Sequence, residues 1–457
     1  MTDVLIAGAG PAGLTCARML AEQGLSVTVV EKGEREGFGA PWINDTDISS
    51  FSRYGLTEPG PEALPFDPSR PARLHSVDDQ VCSAKAGIRG YAIRMDTYQK
   101  ELLAEAERKG ARILFRTAAL SVLGDGTRAT GLAVTDPDGN EQYLAARCVV
   151  LACGGSSRVL SSLPDYLDLD LHMEDCDWVS AVQEVWTLKK RNTNALVREG
   201  RLFDNAMVAY CGMPGAGAFS TLLYQMDLSR GIIGVLGGSK TRMGGVRGPA
   251  SIIREFLGRF PVANRKLYGG GREIPLRYAA DSLVSDGLVL LGDAGRCVCP
   301  ANGSGTVSAM ITAAFCARAL APVLKRGDAP TRKNLWDMNV SFHTGLGAIY
   351  AGYYITMRTT SKLKEEDVQR LIKRKVIGIG DFYQAHENRP VALGPVEALQ
   401  RLARGIGVPG PVLSVAGRGP VIMLMMRHYR SYPRVWDRKK FRDWRRKRDL
   451  ILSLARL

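Results

Sequence analysis

Apolar residues arrive along this chain in runs of two kinds, short unbroken ones and longer ones at helical spacing, and their alternation marks out the elements. Val4-Leu5-Ile6-Ala7 has the length and composition of a buried strand, a helical run follows, and Leu25 to Val30 forms a second strand. Gly8-Ala9-Gly10-Pro11-Ala12-Gly13 joins the first strand to the helix. The second strand ends on Glu31 and Lys32, the acid standing eighteen residues past Gly13. Strand, glycine-rich turn, helix, strand and acid in this register make a dinucleotide-binding βαβ unit. Gly8 permits the tight turn, Gly10 lets backbone approach a pyrophosphate at the helix N-terminus, and Gly13 lets helix and strand pack closely. Glu31 is placed to accept from a ribose 2′-hydroxyl.

Further along, the pattern predicts an interleaved α/β fold. A Rossmann-like nucleotide domain over 1–164 contains a proline-rich, irregular excursion at 41–93. It resumes at Arg94-Met95-Asp96 with a helix from Tyr98 to Lys109 and strands near Ile113 to Phe115, Ala129 to Val134 and Gln142 to Val150. Alternating segments at Ala206 to Tyr210, Ser220 to Met226 and Gly231 to Leu236 predict an antiparallel-sheet substrate domain over 165–278. A closing segment of the nucleotide domain is expected at 279–330. A C-terminal helical cap should fill 331–457, with helices at Asn334 to Met357, Glu365 to Lys375 and Pro395 to Gly405, and a basic tail.

Two downstream motifs narrow the nucleotide. Leu288-Val289-Leu290-Leu291 runs into Gly292-Asp293-Ala294-Gly295, then Pro300, Gly303, Gly305 and a small-residue helix from Thr306 to Leu320. This constellation resembles the second flavin motif of the glutathione-reductase-type FAD enzymes, in which the Asp binds the ribityl chain. Between the two motifs, Cys148-Val149-Val150-Leu151-Ala152-Cys153-Gly154-Gly155 is a strand ending in small residues. FAD is therefore the expected cofactor.

The order of Gly8 to Glu31, Arg94 with Asp96, Gly292-Asp293 through Gly305, and the helix 306–320 resembles the geranylgeranyl reductase family, from residue 1 to about 380. That resemblance implies reduction of isolated double bonds in polyprenyl chains, with Arg94 near the flavin or its phosphates, Asp293 at the ribityl chain, and Pro300 to Gly305 beside the ring. The family's Tyr-x-Trp-x-Phe-Pro strand is replaced by Tyr224-Gln225-Met226-Asp227-Leu228. The Asp-Gly pair of NADPH-using hydroxylases is replaced by Cys153-Gly154, and the Trp-x-Trp-x-Ile-Pro signature of flavin halogenases is absent. A soluble flavin-dependent oxidase, dehydrogenase or monooxygenase acting on a small secondary metabolite is the alternative reading.

An unactivated alkene offers no carbonyl to polarise, so a mostly apolar site is expected, with Cys297, Cys299 and Tyr224 as candidate catalytic groups and proton donors. His343 and His386 are read as structural. Nine cysteines without paired spacing suit reduced thiols, and no cysteine or histidine cluster suggests a metal. Only Met1-Thr2-Asp3 precedes the first strand, and no apolar run reaches the roughly 18–20 residues of a membrane span, so the expectation is a cytoplasmic protein, either free or peripheral on the inner face of the membrane.

Charge alters the picture at one place. Residues 427–457 carry twelve Lys or Arg against Asp437, Asp443 and Asp449, interleaved with Tyr429, Tyr432, Trp436, Phe441 and Trp444. Such a helix suits an anionic membrane surface, or else packs its apolar stripe on its own domain. Nucleic acid is not expected, since no recognition fold accompanies the basic segment. The expected partners are a small-molecule or lipid substrate and an external electron donor: NAD(P)H, ferredoxin or reduced quinone.

Overall fold

The computed structural model describes residues 2–65, 69–391 and 394–455. Its first sheet is built from the runs that are apolar throughout, because strands covered by helices on both faces must be apolar on both. In spatial order it runs Val284–Ser285, Leu288–Leu290, Glu141–Leu151, Thr2–Ala7, Val27–Val30 and Arg112–Leu114. All are parallel except the Val284–Ser285 edge. Ala7 lies opposite both Leu151 and Val30, and Leu151 opposite Leu290, so the carboxyl ends of four strands stop level. The loops that follow them therefore open along one edge. The amino-terminal half of Glu141–Leu151 bends away to pair with the meander Ala129–Thr135 and Ala118–Gly124.

Helix Pro11–Ala21 packs on helix Thr306–Lys325, where the buried thiols of Cys16 and Cys316 meet at 3.8 Å. By length and composition the latter could cross a membrane, which the sequence reading did not anticipate. Most of it is buried inside the protein, so it is the core helix of the nucleotide domain.

The second sheet runs Ala263–Pro275, Trp178–Leu188, Ile232–Ser239, Thr221–Asp227, Met207–Cys211, Ala72–His75 and Val81–Lys85. It is antiparallel apart from the Met207–Cys211 and Ala72–His75 pair. Its last two strands come from the excursion, which is therefore not irregular. Ile43–Asp47, Gly90–Arg94 and Leu64–Pro65 form a further small sheet beside it. Residues 66–68 of the excursion and the last two residues of the tail lie outside the described residues.

The cap is helical as expected. The stretch 334–357 is broken into Trp336–Phe342, a π turn at His343–Gly347, and Ala348–Ser361. Helix Ile379–His386 leans on the outer strand of the second sheet, where Ile379 N–H donates to Ser83 Oγ at 2.9 Å. The basic tail forms helix Arg438–Leu454 and packs its aromatic stripe on the protein: Phe441, Trp444 and Ile451 are buried, and Arg448 pairs inside with Asp281. Burial pushes that carboxyl up and the guanidinium partner holds it back, a balance a docked helix can keep and a membrane-bound one cannot.

Candidate functional site

A cavity of about 1920 Å³ runs from the ends of the parallel strands, across the second sheet, to the cap. Ordinary ligand pockets hold roughly 300–1,000 Å³, so this one has room for a dinucleotide and a second long molecule together.

At its first end the walls are mostly backbone. Gly8 sits at φ +103°, and a Cβ there would come within 2.6 Å of the Ala152 carbonyl. On Gly13 a Cβ would lie 2.0 Å from the Gly8 carbonyl, so helix and turn touch only because it is absent. Gly10 differs from both. Nothing lies within 4 Å of its missing Cβ, which would project into open space at the helix N-terminus, where a pyrophosphate would approach. Ala9 and Gly33 N–H groups each donate to the Glu31 carboxylate at 2.8 Å. These bonds fix the acid while leaving lone pairs for a ribose hydroxyl. Lys32, Pro11, Ala12 and Gly154 also line this end, as do Gly292, Asp293, Gly303 and Gly305.

Asp293 faces the cavity from a tight turn, its carboxyl pushed up by burial and partly held down by Arg272 and Arg296. Arg296 was not foreseen. Its guanidinium donates to the Gly155 carbonyl at 2.8 Å and reaches the Leu171 carbonyl at 3.2 Å, tying the turn after Leu151 to the turn after Leu291. Burial lowers its pKa to about 10. The residue has φ +60°, an unusual backbone for arginine and the only local hint of a special position.

Five expected residues stand outside the cavity or turn their side chains away from it. Arg94 does not line the cavity; it donates to Asp96 at 2.7 Å and lies over the Tyr268 ring, because an acid two residues along captures it first. Cys297 and Cys299 are fully buried in the core, and it is Val298 between them that reaches the cavity. Burial pushes both thiols up, which makes them poor nucleophiles and poor acids. Pro300 is buried behind the lining as well. Tyr224 is itself among the residues that line the cavity, but its ring packs on Phe256 in the core behind the sheet and its hydroxyl accepts from Phe203 N–H at 3.2 Å. Its neighbours Leu223 and Gln225 take the cavity face.

The middle of the cavity holds groups that sequence reasoning missed. Gln183 clamps both backbone groups of Ile43, accepting at 2.6 Å and donating at 2.9 Å. Asn44 donates to Thr306 Oγ1 at the start of the core helix, and Asp45 accepts from Gln225 Nε2 at 2.9 Å. Strand Ile43–Asp47 is thereby fixed between the nucleotide end and the second sheet. Burial raises the Asp45 pKa to about 7, with the Gln225 bond pulling it partly back. Tyr383 stands near the same carboxylate, and burial first and that carboxylate second push its hydroxyl up. His386, read as structural, also lines this region near Asp47, its pKa lowered by burial.

Residues 1–213 match the model of the FAD-binding domain family. The digeranylgeranylglycerophospholipid reductase of Sulfolobus acidocaldarius is 25% identical, over 99% of this chain and 97% of the relative. The enzyme of the same description from Methanothrix thermoacetophila is 24% identical over 81% of this chain and 90% of its own. A geranylgeranyl bacteriochlorophyll reductase-like protein of Thermoplasma acidophilum superposes with a TM-score of 0.71, at 17% identity, over 91% of this chain and 98% of that one. The chain is an FAD-dependent oxidoreductase, similar along nearly its whole length to a digeranylgeranylglycerophospholipid reductase. The similarity to a family reductase thus extends beyond residue 380 into the cap. The fold alone does not separate reductases from oxygenases, since a p-nitrophenol 4-monooxygenase of Pseudomonas putida superposes with a TM-score of 0.57, at 16% identity, over 96% of this chain and 98% of its own. In this flavoprotein the glycine cradle, Glu31 and the Asp293 turn fit FAD: the open space at Gly10 accommodates phosphate, and Glu31 and Asp293 offer carboxylates to the two sugar portions.

Proposed function

We propose that this flavoprotein reduces carbon–carbon double bonds in a polyprenyl chain carried by a lipid or prenylated quinone, drawing electrons from an external donor. One observation carries the reading. The cavity continues from the nucleotide end over an apolar floor of Val179, Ala181, Leu223 and Leu236, and beneath a roof that includes Ile349, Met357 and Phe382, out to the last cap helices. A small polar metabolite has no use for such a length of apolar wall, whereas an isoprenoid chain does. The names of the relatives from Sulfolobus and Methanothrix support the same substrate class.

FAD, when bound and reduced, supplies a hydride equivalent. The chain does the rest. Its apolar walls hold the alkene and exclude water. The second hydrogen must reach the neighbouring carbon as a proton, and Asp45 is the group suited to give it. Asp45 stands between the start of the core helix and the second sheet, keeps its proton to about pH 7, and is oriented by Gln225. After donation the carboxylate regains a proton from solvent through the cavity.

The reading is tested by bleaching the holoenzyme anaerobically with dithionite and adding a geranylgeranyl lipid in detergent. Return of the oxidised flavin spectrum is expected with the unsaturated lipid and not with its saturated counterpart. Equal behaviour of the two lipids would overturn the substrate assignment.

A further inference from the structure

The cap ends in three short helices that do something different from the tail. Pro395–Gly405 buries only Gly405, and Pro409–Ala416 only Val412. Their apolar side chains point outward instead: Leu399 is 67% exposed, Ile406 78%, Leu413 70%, and Met423 on the following helix Gly419–Arg430 72%. On the first helix Val396, Leu399 and Leu402 recur every three residues, which draws one exposed stripe along it. Prolines at the first or second position of each helix divide the segment into short pieces.

All three pieces contribute walls to the far end of the cavity, Leu402 from the first, Val412 from the second and Met423 from the third. Leu402 and Met423 are exposed at the surface and line the cavity as well, so the apolar surface outside and the apolar wall inside are continuous. Monomeric proteins rarely leave so large an apolar surface in water, and where they do it marks a binding face. Charge selects the partner. Residues 394–430 hold five arginines against the single acid Glu397; Arg401 is mostly buried and pairs both Glu397 at 2.7 Å and Asp381 at 2.8 Å, which leaves Arg404, Arg418, Arg427 and Arg430 for the rim. Residues 394–427 contain no Phe, Tyr or Trp, the anchors that dominate protein–protein contacts. Aliphatic stripes beside a net positive rim are what an anionic bilayer surface binds.

We infer that helices Pro395–Gly405, Pro409–Ala416 and Gly419–Arg430 seat the far end of the cavity on an anionic lipid bilayer, so that a prenyl chain passes from membrane to flavin site without crossing water. The inference rests on the prenyl-lipid reading of the substrate and adds how that substrate arrives. It places the protein peripherally, on the inner face of the membrane, and assigns the contact to this segment rather than to the basic tail, whose apolar stripe is already occupied.

The test uses full-length holoenzyme and vesicles of phosphatidylcholine with about one third phosphatidylglycerol. Wild type floats with the vesicles, and raising salt to about 0.5 M weakens its binding by screening the arginines. The triple variant Leu399→Glu, Ile406→Glu, Leu413→Glu touches no cavity-lining residue. It keeps its flavin spectrum and its rate on prenyl substrate in detergent, loses at least tenfold in vesicle binding, and loses at least tenfold in rate on vesicle-borne substrate. A second variant, Arg438→Gln, Lys439→Gln, Arg442→Gln on the tail helix, still floats. The inference is overturned if wild type stays in solution, if the triple variant floats as well as wild type, or if only the tail variant loses binding. It is also overturned if sedimentation shows a wild-type dimer that the triple variant dissolves, since the stripe would then be a self-interface. Vesicle binding is read without turnover, so failure of the reductase assignment would leave the docking result standing, and the reverse.

Discussion

The two ends of the cavity are made of different material. At the nucleotide end the chain is held to its shape by missing side chains: Gly8 and Gly13 leave no room for a methyl group, and Gly10 leaves a methyl-sized space for the ligand. At the substrate end the walls are ordinary aliphatic side chains drawn from the excursion, the second sheet and the cap, with Asp45 and Gln225 as a polar island between. The first end tolerates almost no change because a backbone clash has no cheap relaxation. The second accepts volume-conserving exchange of its walls but depends on where one carboxyl group stands.

Glycine substitutions sharpen this contrast most. Gly13→Val should yield no folded protein, since its side chain would overlap the Gly8 carbonyl. Gly10→Val should fold, as nothing lies within 4 Å, yet purify without FAD. Circular dichroism and the flavin spectrum separate the two outcomes. A Gly10→Val protein that retains flavin would mean that no phosphate approaches there.

Asp45→Asn should have the next largest effect. General-acid groups contribute about 10²–10⁴-fold, so the rate of flavin reoxidation by prenyl lipid should fall at least about 100-fold at unchanged FAD content. A reading independent of turnover exists. Folded, the Asp45 carboxyl keeps its proton to about pH 7, whereas its ordinary value is 3.8. Wild type therefore loses stability as pH rises through that interval and levels off above it, while the asparagine form, which cannot ionise, is spared. The gap in melting temperature between variant and wild type should widen from pH 4 to 7. A gap that stays constant across this range would show that Asp45 is not a buried acid.

The smallest effects are expected at the residues first suspected of chemistry. Cys297→Ala, Cys299→Ala and Tyr224→Phe should each cost about 1 kcal/mol of stability and leave the reoxidation rate within twofold, because the two thiols lie in the core and the Tyr224 hydroxyl is taken up by Phe203 N–H.

These differences follow what a sequence can display. A glycine required by a close approach is visible without knowing its neighbours, so Gly8, Gly10, Gly13 and the Gly292-Asp293 turn were legible, as were the parallel strands that precede them. Facing was not. Alternation along Thr221–Asp227 shows that Tyr224 and Gln225 point to opposite sides, but not which side holds the cavity. Cys297 and Cys299 stand beside the flavin motif in sequence, but after the αL backbone at Arg296 both thiols enter the core. Asp45 lies in Ile43–Asp47, a polar strand with no apolar alternation, and it gains its place from Gln225, some 180 residues away. The strands Ala72–His75 and Val81–Lys85 join a sheet whose other members begin about a hundred residues later, a pairing that no local pattern announces.

The central claim is that one cavity holds FAD at its glycine end and a polyprenyl chain along the rest, and that the chemistry there is reduction. It is tested most directly by the mass of the product formed from a geranylgeranyl lipid, compared under anaerobic turnover and under labelled dioxygen. The account predicts a gain of two hydrogens per double bond in both, with no label incorporated. Product that carries labelled oxygen and retains its double bonds would contradict it and identify a monooxygenase.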